Sequence, residues 1–254
     1  MRSKQTWLLA LLLSVVYAIP SFGFQVAANE EFGQASEADR QVSKLVKLLM
    51  DRQHLSNREL DDTISRRAFD LFVKSLDPMK VYFDQKDVNE LGQYRDMLDD
   101  EMRTGQYNIA FAIFKRYLQR VVQRVDYAMS LLDNEFDFTV DEEIITDRDQ
   151  IEFAKSDAEI QERWRKRMKF NLLAFNNDDD DDEKKKKVDP VEKLKKRYSL
   201  FKNRMHQTDN EDVVEMYVSA ITNSYDPHTS YMSTESFKNF KISLSLQLLS
   251  LIHI

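Results

Sequence analysis

Histidine is the residue type best suited to acid–base or metal chemistry, and this sequence has four of them. The four are scattered along the chain: His54, His206, His228 and His253. None belongs to a His-x-x-Glu-His type of spacing, which would place two imidazoles on one face of a helix to bind a metal. The histidine pattern therefore predicts no metal site.

The segment 224–231 (SYDPHTSY) is the candidate for catalysis, because a hydroxyl–imidazole–carboxylate grouping can be written from Asp226, His228, Thr229 and Ser230. Catalytic triads, however, bring residues together from separate segments around an oxyanion hole, and no glycine flanks a nucleophile here. Asp226 followed by proline initiates a turn, which the His228 and Thr229 side chains can hydrogen-bond. We therefore expect a structured turn and no catalytic residue.

The chain contains no cysteine, which excludes zinc fingers, iron–sulfur clusters, disulfide scaffolds and thiol nucleophiles. The acidic run within 176–187 (NNDDDDDEKKKK) lacks the glycine and the distal glutamate of a calcium loop, and its lysines compete for the carboxylates. A block of like charges has nothing to bury. We expect a charged linker over 176–188, with no metal and no cofactor.

The charge balance bears on possible partners. The net charge of −7 disfavours nucleic acid, whose phosphates must be neutralised by lysine and arginine. A basic cluster surrounds Trp164 on a predicted helix: Arg163, Arg165, Lys166, Arg167 and Lys169. A solvated helix face is the favoured interpretation of this cluster, and a binding patch is the alternative.

The composition indicates a mainly α fold, a multi-helix bundle or layered helical array. Four glycines and four prolines in 254 residues leave few tight turns. Apolar residues recur at helical spacing, as in the stripe Val42, Leu45, Val46 and Leu49. The longest predicted helix, 107–132, would be a rod of roughly 39 Å that needs packing partners along its length.

Start and stop signals divide the chain into further helices. Capping patterns at Ser36, Ser56, Ser156 and Thr208, and the pair Asp189-Pro190, each predict a helix start. A helix from Asp84 is expected to run through Met102 and to end at Gly105 as a left-handed residue, and another helix is expected over 141–150. These elements predict a helical domain at 36–175 and a helical continuation at 189–241.

Both chain ends differ from this pattern. A basic start followed by an apolar run over 7–19 and small residues predicts a signal peptide at 1–28, and an uncleaved anchor helix is the alternative. The segment Ile242–Gln247 alternates apolar and polar residues, which predicts the start of a β-strand within 242–254.

Seven segments follow one another in an order that is informative as a set. They are collinear from about residue 40 to 247: 75–84 (SLDPMKVYFD), 131–139 (LLDNEFDFT), 154–157 (AKSD), 164–167 (WRKR), 189–198 (DPVEKLKKRY), 225–231 (YDPHTSY) and 242–247 (ISLSLQ). Each segment alone is a weak signal, whereas the ordered set is specific: it resembles the family of tail-specific (carboxy-terminal processing) proteases.

The resemblance implies a periplasmic serine endopeptidase that recognises nonpolar C-terminal tails through a PDZ module and cleaves with a Ser/Lys dyad, without a cofactor. It also implies that the helical region contributes to a body around the proteolytic core and can dock an adaptor, such as an envelope lipoprotein. After Gln247 the sequence departs from the family pattern, so no PDZ or catalytic residue can be assigned. A stand-alone helical scaffold of the cell envelope is the alternative.

Overall fold

The computed structural model describes residues 33–178 and 189–252, and within those ranges the chain forms nine α-helices and no β-strand. The helices are α1 Glu37–Gln53, α2 Asp62–Leu76, α3 Gln85–Leu91, α4 Leu98–Thr104, α5 Asn108–Leu131, α6 Asp157–Asp178, α7 Pro190–His206, α8 Asn210–Asn223 and α9 Thr234–Ile252. The predicted mainly α class is confirmed.

Helix α5 is the rod on which much of the core is assembled. Its 24 residues span roughly 36 Å. One face of this helix is a continuous apolar stripe, since Phe111, Phe114, Val121 and Val125 are all buried. Helices α6, α7 and α8 pack against it, while α2 packs on α8. The segments before and after the charged run therefore share one hydrophobic core.

Several predicted helix starts are confirmed and two are displaced. Ser36 forms a full capping box with Asp39, and Asp189 caps a helix whose first residue is Pro190. Helix α2 instead begins after Asp61, and α8 begins after Asp209, because these carboxylates accept the orphan amides of the first turn. The helix start predicted at Ser56 was wrong by five residues, and the start predicted at Thr208 was wrong by one residue.

Gly105 ends α4 in the left-handed conformation, as predicted, with φ of 72°. Its amide donates to the carbonyl of Glu101 at 2.8 Å. A Cβ at this position would lie 3.0 Å from the Cα of Arg40, so the glycine also permits the close approach of α1 and α4. The helix predicted from Asp84 to Met102 is interrupted by a 3₁₀ turn at Gly92–Tyr94, so it forms two short helices.

The helix predicted over 141–150 does not form. The chain instead crosses α6 in an irregular segment that is held by side chains of α6: Lys169 donates to the carbonyl of Val140 at 2.8 Å and to Glu142 at 2.6 Å. Arg163 donates to the carbonyl of Glu152 at 2.5 Å. These contacts hold both ends of the segment against α6, and tertiary contact overrides the local pattern.

The strand predicted at 242–247 is also wrong, because α9 runs through it to Ile252. A strand needs a neighbouring strand to satisfy its amides and carbonyls, whereas a helix satisfies them within itself. No strand partner is available among the described residues. Helix α9 leaves several large apolar side chains exposed: Phe237, Phe240, Ile242 and Leu244.

Two sequence predictions lie wholly or mainly outside the described residues. The signal peptide at 1–28 is one of them. The charged linker at 176–188 is the other, although α6 extends as far as Asp178 and so includes its first three residues. None of the helices within the described ranges is long and apolar enough to cross a membrane.

Candidate functional site

The turn at 224–231 is held by a histidine from the other end of the chain. His54 is the C-cap residue of α1, and its Nε2 lies 2.6 Å from Oδ2 of Asp226. Its Nδ1 lies 2.7 Å from the hydroxyl oxygen of Ser56. The His54 ring also packs edge-on against Tyr225, with centroids 5.2 Å apart. These contacts connect the end of α1 to the turn that follows α8.

The hydrogen bonds fix the protonation of this cluster. The backbone amide of Ser56 donates to Nδ1 of His54 at 3.2 Å, so Nδ1 is an acceptor and the ring proton is on Nε2, facing Asp226. Asp226 also accepts from the Thr229 hydroxyl at 2.6 Å and from the His228 amide at 2.7 Å. These bonds, chiefly that from Thr229, together with His54 lower the pKa of Asp226 to about 2. The carboxylate is therefore ionised.

The structure does not assemble the hydroxyl–imidazole–carboxylate grouping that the sequence of 226–230 suggests. Asp226 and Thr229 lie together, but the side chains of His228 and Ser230 are exposed, and the imidazole at Asp226 is that of His54. Sequence reasoning missed His54 because 172 residues separate it from Asp226. Its position at a helix end, two residues before a serine, was the only local signal.

Ser56, His54 and Asp226 are hydrogen-bonded in series, as in a proton relay. Their surroundings, however, indicate a structural role. An acyl-transfer site needs free N–H donors beside the nucleophile to stabilise an oxyanion. Here the Ser56 amide is bonded to the His54 ring, and the Asn57 amide is bonded to the His54 carbonyl at 3.1 Å. The cluster therefore holds two segments together, and the absence of a catalytic residue stays a prediction.

The segment 75–84 is organised by the Asp77 carboxylate, which is 1% exposed. Its oxygens accept from the backbone amides of Val81, Tyr82 and Phe83, each at 2.9 Å. Burial raises the pKa of Asp77, and the three amide bonds oppose that rise. The carboxylate thus closes the loop after α2, in which Lys80 adopts a φ of 48°.

The buried Trp164 of α6 packs against the same loop. The indole Nε1 donates to the carbonyl of Val81 at 2.8 Å. The Tyr82 ring is surrounded by aromatic rings, with centroid distances of 5.5 Å to Tyr117, 5.7 Å to Trp164 and 5.7 Å to Phe201. The segments 75–84 and 164–167 therefore meet in one aromatic cluster at the centre of the bundle.

Glu142, just after segment 131–139, and Ala154 in segment 154–157 also make contacts that stabilise the fold. Arg165 and Lys169 of α6 hydrogen-bond Glu142 and lower the pKa of its carboxyl to about 2. Ala154 accepts from the Gln85 amide at 2.8 Å and so fixes the start of α3. Within the described part of the chain, no group of histidine, aspartate and glutamate side chains is arranged to hold a metal ion.

A groove of about 960 Å³ opens between α7 and α8. Its floor includes Leu76, Phe114 and Tyr117, and one wall carries Asp212 and Glu215 of α8. Burial raises the pKa of Asp212, and the nearby Asp209 and Glu215 charges raise it further. The groove is thus apolar at its base and acidic at one rim.

Residues 45–235 match the family model described as "Tail specific protease N-terminal domain". The chain is 33% identical over 248 residues to the "Tail-specific protease" of Haemophilus influenzae. That alignment spans 96% of the chain and 34% of the relative, so the chain covers about a third of the relative's length.

Proposed function

The chain belongs to the tail-specific protease N-terminal domain family, and on that premise we propose that it is the non-catalytic helical region of a periplasmic serine endopeptidase. The whole enzyme would cleave proteins that end in nonpolar C-terminal tails. Tail recognition and the Ser/Lys chemistry would reside in a PDZ module and a catalytic domain of that enzyme.

One observation supports the non-catalytic role above the others. Two carboxylates of the family-like segments are engaged in holding the fold: Asp77 binds three amides, and Asp226 binds His54, Thr229 and the His228 amide. A catalytic nucleophile or base must instead present an unengaged lone pair or proton to a substrate. The helical region would therefore act as a frame for the proteolytic part.

Hydrolysis tests the non-catalytic role directly. The purified 254-residue chain is incubated with peptides that end in nonpolar residues, and products are followed by mass spectrometry. We expect no turnover above buffer. Turnover that disappears in Ser56→Ala or His54→Gln, but survives in Ser230→Ala, would overturn the proposal and identify the Ser56–His54–Asp226 relay as catalytic.

Export to the periplasm is a separate part of the proposal. It rests on the basic start and the apolar run at 7–19, which have the length and order of a signal peptide. N-terminal sequencing of exported protein should give a first residue of Phe24 or Asn29. Exported material that still begins at Met1 would contradict cleavage and favour an uncleaved membrane anchor.

A second candidate function is a helical scaffold or adaptor of the cell envelope that binds proteins and cleaves none. The groove between α7 and α8 favours this candidate, because apolar clefts with a charged rim suit protein docking. A complementation experiment distinguishes the scaffold function from the protease function. The relative from Haemophilus influenzae is prepared without the third of its length that matches this chain. If adding the chain restores cleavage, the protease role is supported. A soluble chain that neither binds nor restores that relative would favour the scaffold.

A further inference from the structure

Helix α9 has little packing within its own chain. Every residue from Phe237 to Ser245 is exposed. No other helix within the described ranges packs along it. Helices in proteins gain most of their stability from packing an apolar face, and an isolated helix is at best marginally stable in water. Helix α9 is therefore suited to a surface outside its own chain.

One face of α9 is apolar and has a basic edge. Phe237, Phe240 and Leu244 recur at helical spacing and are 46%, 45% and 46% exposed. The Nζ of Lys241 lies 4.6 Å from the centroid of the Phe237 ring, and Lys238 is one turn earlier on the same edge. Within the described part of the chain, neither lysine pairs with a carboxylate. The face thus combines an apolar stripe with two cations.

The groove of about 960 Å³ between α7 and α8 has the complementary character. Besides its buried floor, it is lined by partly buried apolar side chains: Phe201, Met205 and Met216. Asp212 and Glu215 stand on the α8 wall. Among the described residues that line the groove, Arg204 is the one cation, and it belongs to the opposite wall, α7.

The negative charge of the α8 wall extends beyond the lining. Burial raises the pKa of Glu211, and the charges of Asp209 and Glu235 raise it further. Carboxylates raise one another's pKa where nearby cations do not compensate them. No ion pair among the described residues involves Glu211, Asp212 or Glu215. This wall therefore favours a partner that brings positive charge.

Helix α9 does not fill the groove of its own chain. Ser236, in its first turn, lines the groove and donates a hydrogen bond to Glu215 at 2.7 Å, but the residues that follow are exposed. Because α9 is a continuous helix from Thr234 to Ile252, its apolar face does not turn back into that groove. A second copy of the chain offers the same groove without this restriction.

We propose that two copies of this chain pair by exchange, with the apolar face of each α9 packed in the α7–α8 groove of the other copy. Phe237, Phe240 and Leu244 lie on the apolar base, and Lys238 and Lys241 lie beside the carboxylates of α8. A two-fold axis relates the two contacts, so the same interface forms twice and the assembly closes as a dimer. This pairing does not depend on the proposed protease role.

Analytical ultracentrifugation of the full chain tests the pairing. We expect a concentration-dependent dimer and no larger species, because the exchange occupies both surfaces of each copy. Phe240→Asp places a charge on the exposed apolar face and should raise the dissociation constant of the dimer at least about tenfold. A monomeric wild-type chain, which would leave the groove to a different protein, or aggregates of no fixed size would overturn the proposal.

Two charge-reversed variants show which surfaces meet. Lys238→Glu combined with Lys241→Glu reverses the edge of α9, and Glu211→Lys combined with Glu215→Lys reverses the wall of the groove. Each variant alone should dimerise at least about tenfold more weakly, because like charges then meet in both contacts. An equal mixture of the two should form a heterodimer as tight as the wild-type dimer, because opposite charges then meet in both contacts.

Net charge does not explain such a rescue. The change of −4 in the α9 variant takes the net charge from −7 to −11, and the change of +4 in the groove variant takes it from −7 to −3, so both stay acidic. Lys86→Glu combined with Lys196→Glu makes the same change of −4 on exposed lysines outside the groove, and should dimerise like wild type.

The pattern of association across the variants decides the outcome. A mixture that associates no better than its two components, or a lysine control as weak as the α9 variant, would overturn the proposal. Circular dichroism checks that each variant is folded. If the groove variant fails to fold, wild-type dimerisation by Phe240→Asp, whose replaced side chain lies on the exposed helix, would still overturn it.

Discussion

The carboxylate of Glu101 in α4 accepts a hydrogen bond from the hydroxyl of Tyr217 in α8 at 3.2 Å, in the interior of the bundle. Its other oxygen accepts the amide of Ile109, at the start of α5, at 2.8 Å. One side chain thus connects three helices. Burial raises the pKa of Glu101 to about 7, although both hydrogen bonds favour the ionised form.

This pKa predicts a loss of stability on the alkaline side. The folded-state pKa of about 7 exceeds the ordinary value of 4.5, so the folded chain holds the Glu101 proton more tightly than the unfolded chain. The associated stability is complete below pH 4.5 and is lost as the pH rises through 7. Because Glu101→Gln removes this titration, its stability relative to wild type should rise by roughly 2–3 kcal/mol between pH 5 and pH 8.

Urea unfolding at the two pH values measures this change. Glu135→Gln is the matched control, because Glu135 is exposed on the surface and its replacement should leave the pH dependence as in wild type. A difference between Glu101→Gln and wild type that is the same at pH 5 and pH 8 would show that Glu101 titrates normally in the fold.

Asp77→Ala should destabilise the chain by about 3 kcal/mol or more, since it leaves the amides of Val81, Tyr82 and Phe83 without their acceptor. Asp70→Ala removes an aspartate that pairs with Arg95 on the surface, and should cost less than about 1 kcal/mol. The free energy of unfolding in urea compares the two. Similar losses in both variants would mean that the loop after α2 does not depend on the Asp77 carboxylate.

The lowered pKa of Asp87 predicts how the stability of the fold decreases at acid pH. Burial acts to raise its pKa, but hydrogen bonds from Arg120 at 2.7 Å and Arg116 at 2.7 Å outweigh burial and hold the pKa below 3.8. Stability from this group is present above pH 3.8 and is lost as the pH falls through the folded-state pKa. Asp87→Asn should therefore cost about 3 kcal/mol at pH 7, and progressively less as the pH falls below 3.8.

The control for Asp87 is Asp126→Asn, which breaks an exposed pair with Lys202 and should cost less than about 1 kcal/mol at pH 7. Acid titrations of circular dichroism for both variants supply the comparison. A constant loss for Asp87→Asn from pH 7 to pH 2 would indicate a defect in the α3 capping box, to which Asp87 also contributes, and not the loss of its charge.

Helices with one strongly apolar face were predictable from the sequence. In α6, Ile160, Trp164, Met168 and Leu172 are all buried, as their spacing indicates, because a helix that packs along its length must bury one continuous stripe. Helix α1 shows the limit of this argument. Its predicted stripe included Leu45 and Leu49, which are 56% and 41% exposed.

The exposure of these leucines reflects tertiary contacts that the spacing of apolar residues in α1 does not predict. The buried face of α1 carries Ser43 and Met50, and the Ser43 hydroxyl makes a 2.5 Å hydrogen bond to Tyr107 at the start of α5. A serine in a core position has no apolar signal, and its partner is 64 residues away. The His54–Asp226 pair was missed for the same reason, since side-chain ties between distant segments leave no local pattern.

His54→Ala tests that pair by the dynamics of the turn it holds. Without the imidazole, Asp226 keeps its bonds to Thr229 and to the His228 amide, but the turn loses its connection to α1. We expect hydrogen exchange of the His228 amide to quicken by about tenfold, with a loss of about 1–2 kcal/mol in the free energy of unfolding. His206→Ala, in the last turn of α7, should change neither quantity at the turn. Unchanged exchange at His228 in His54→Ala would mean that Asp226 and Thr229 hold the turn without the help of α1.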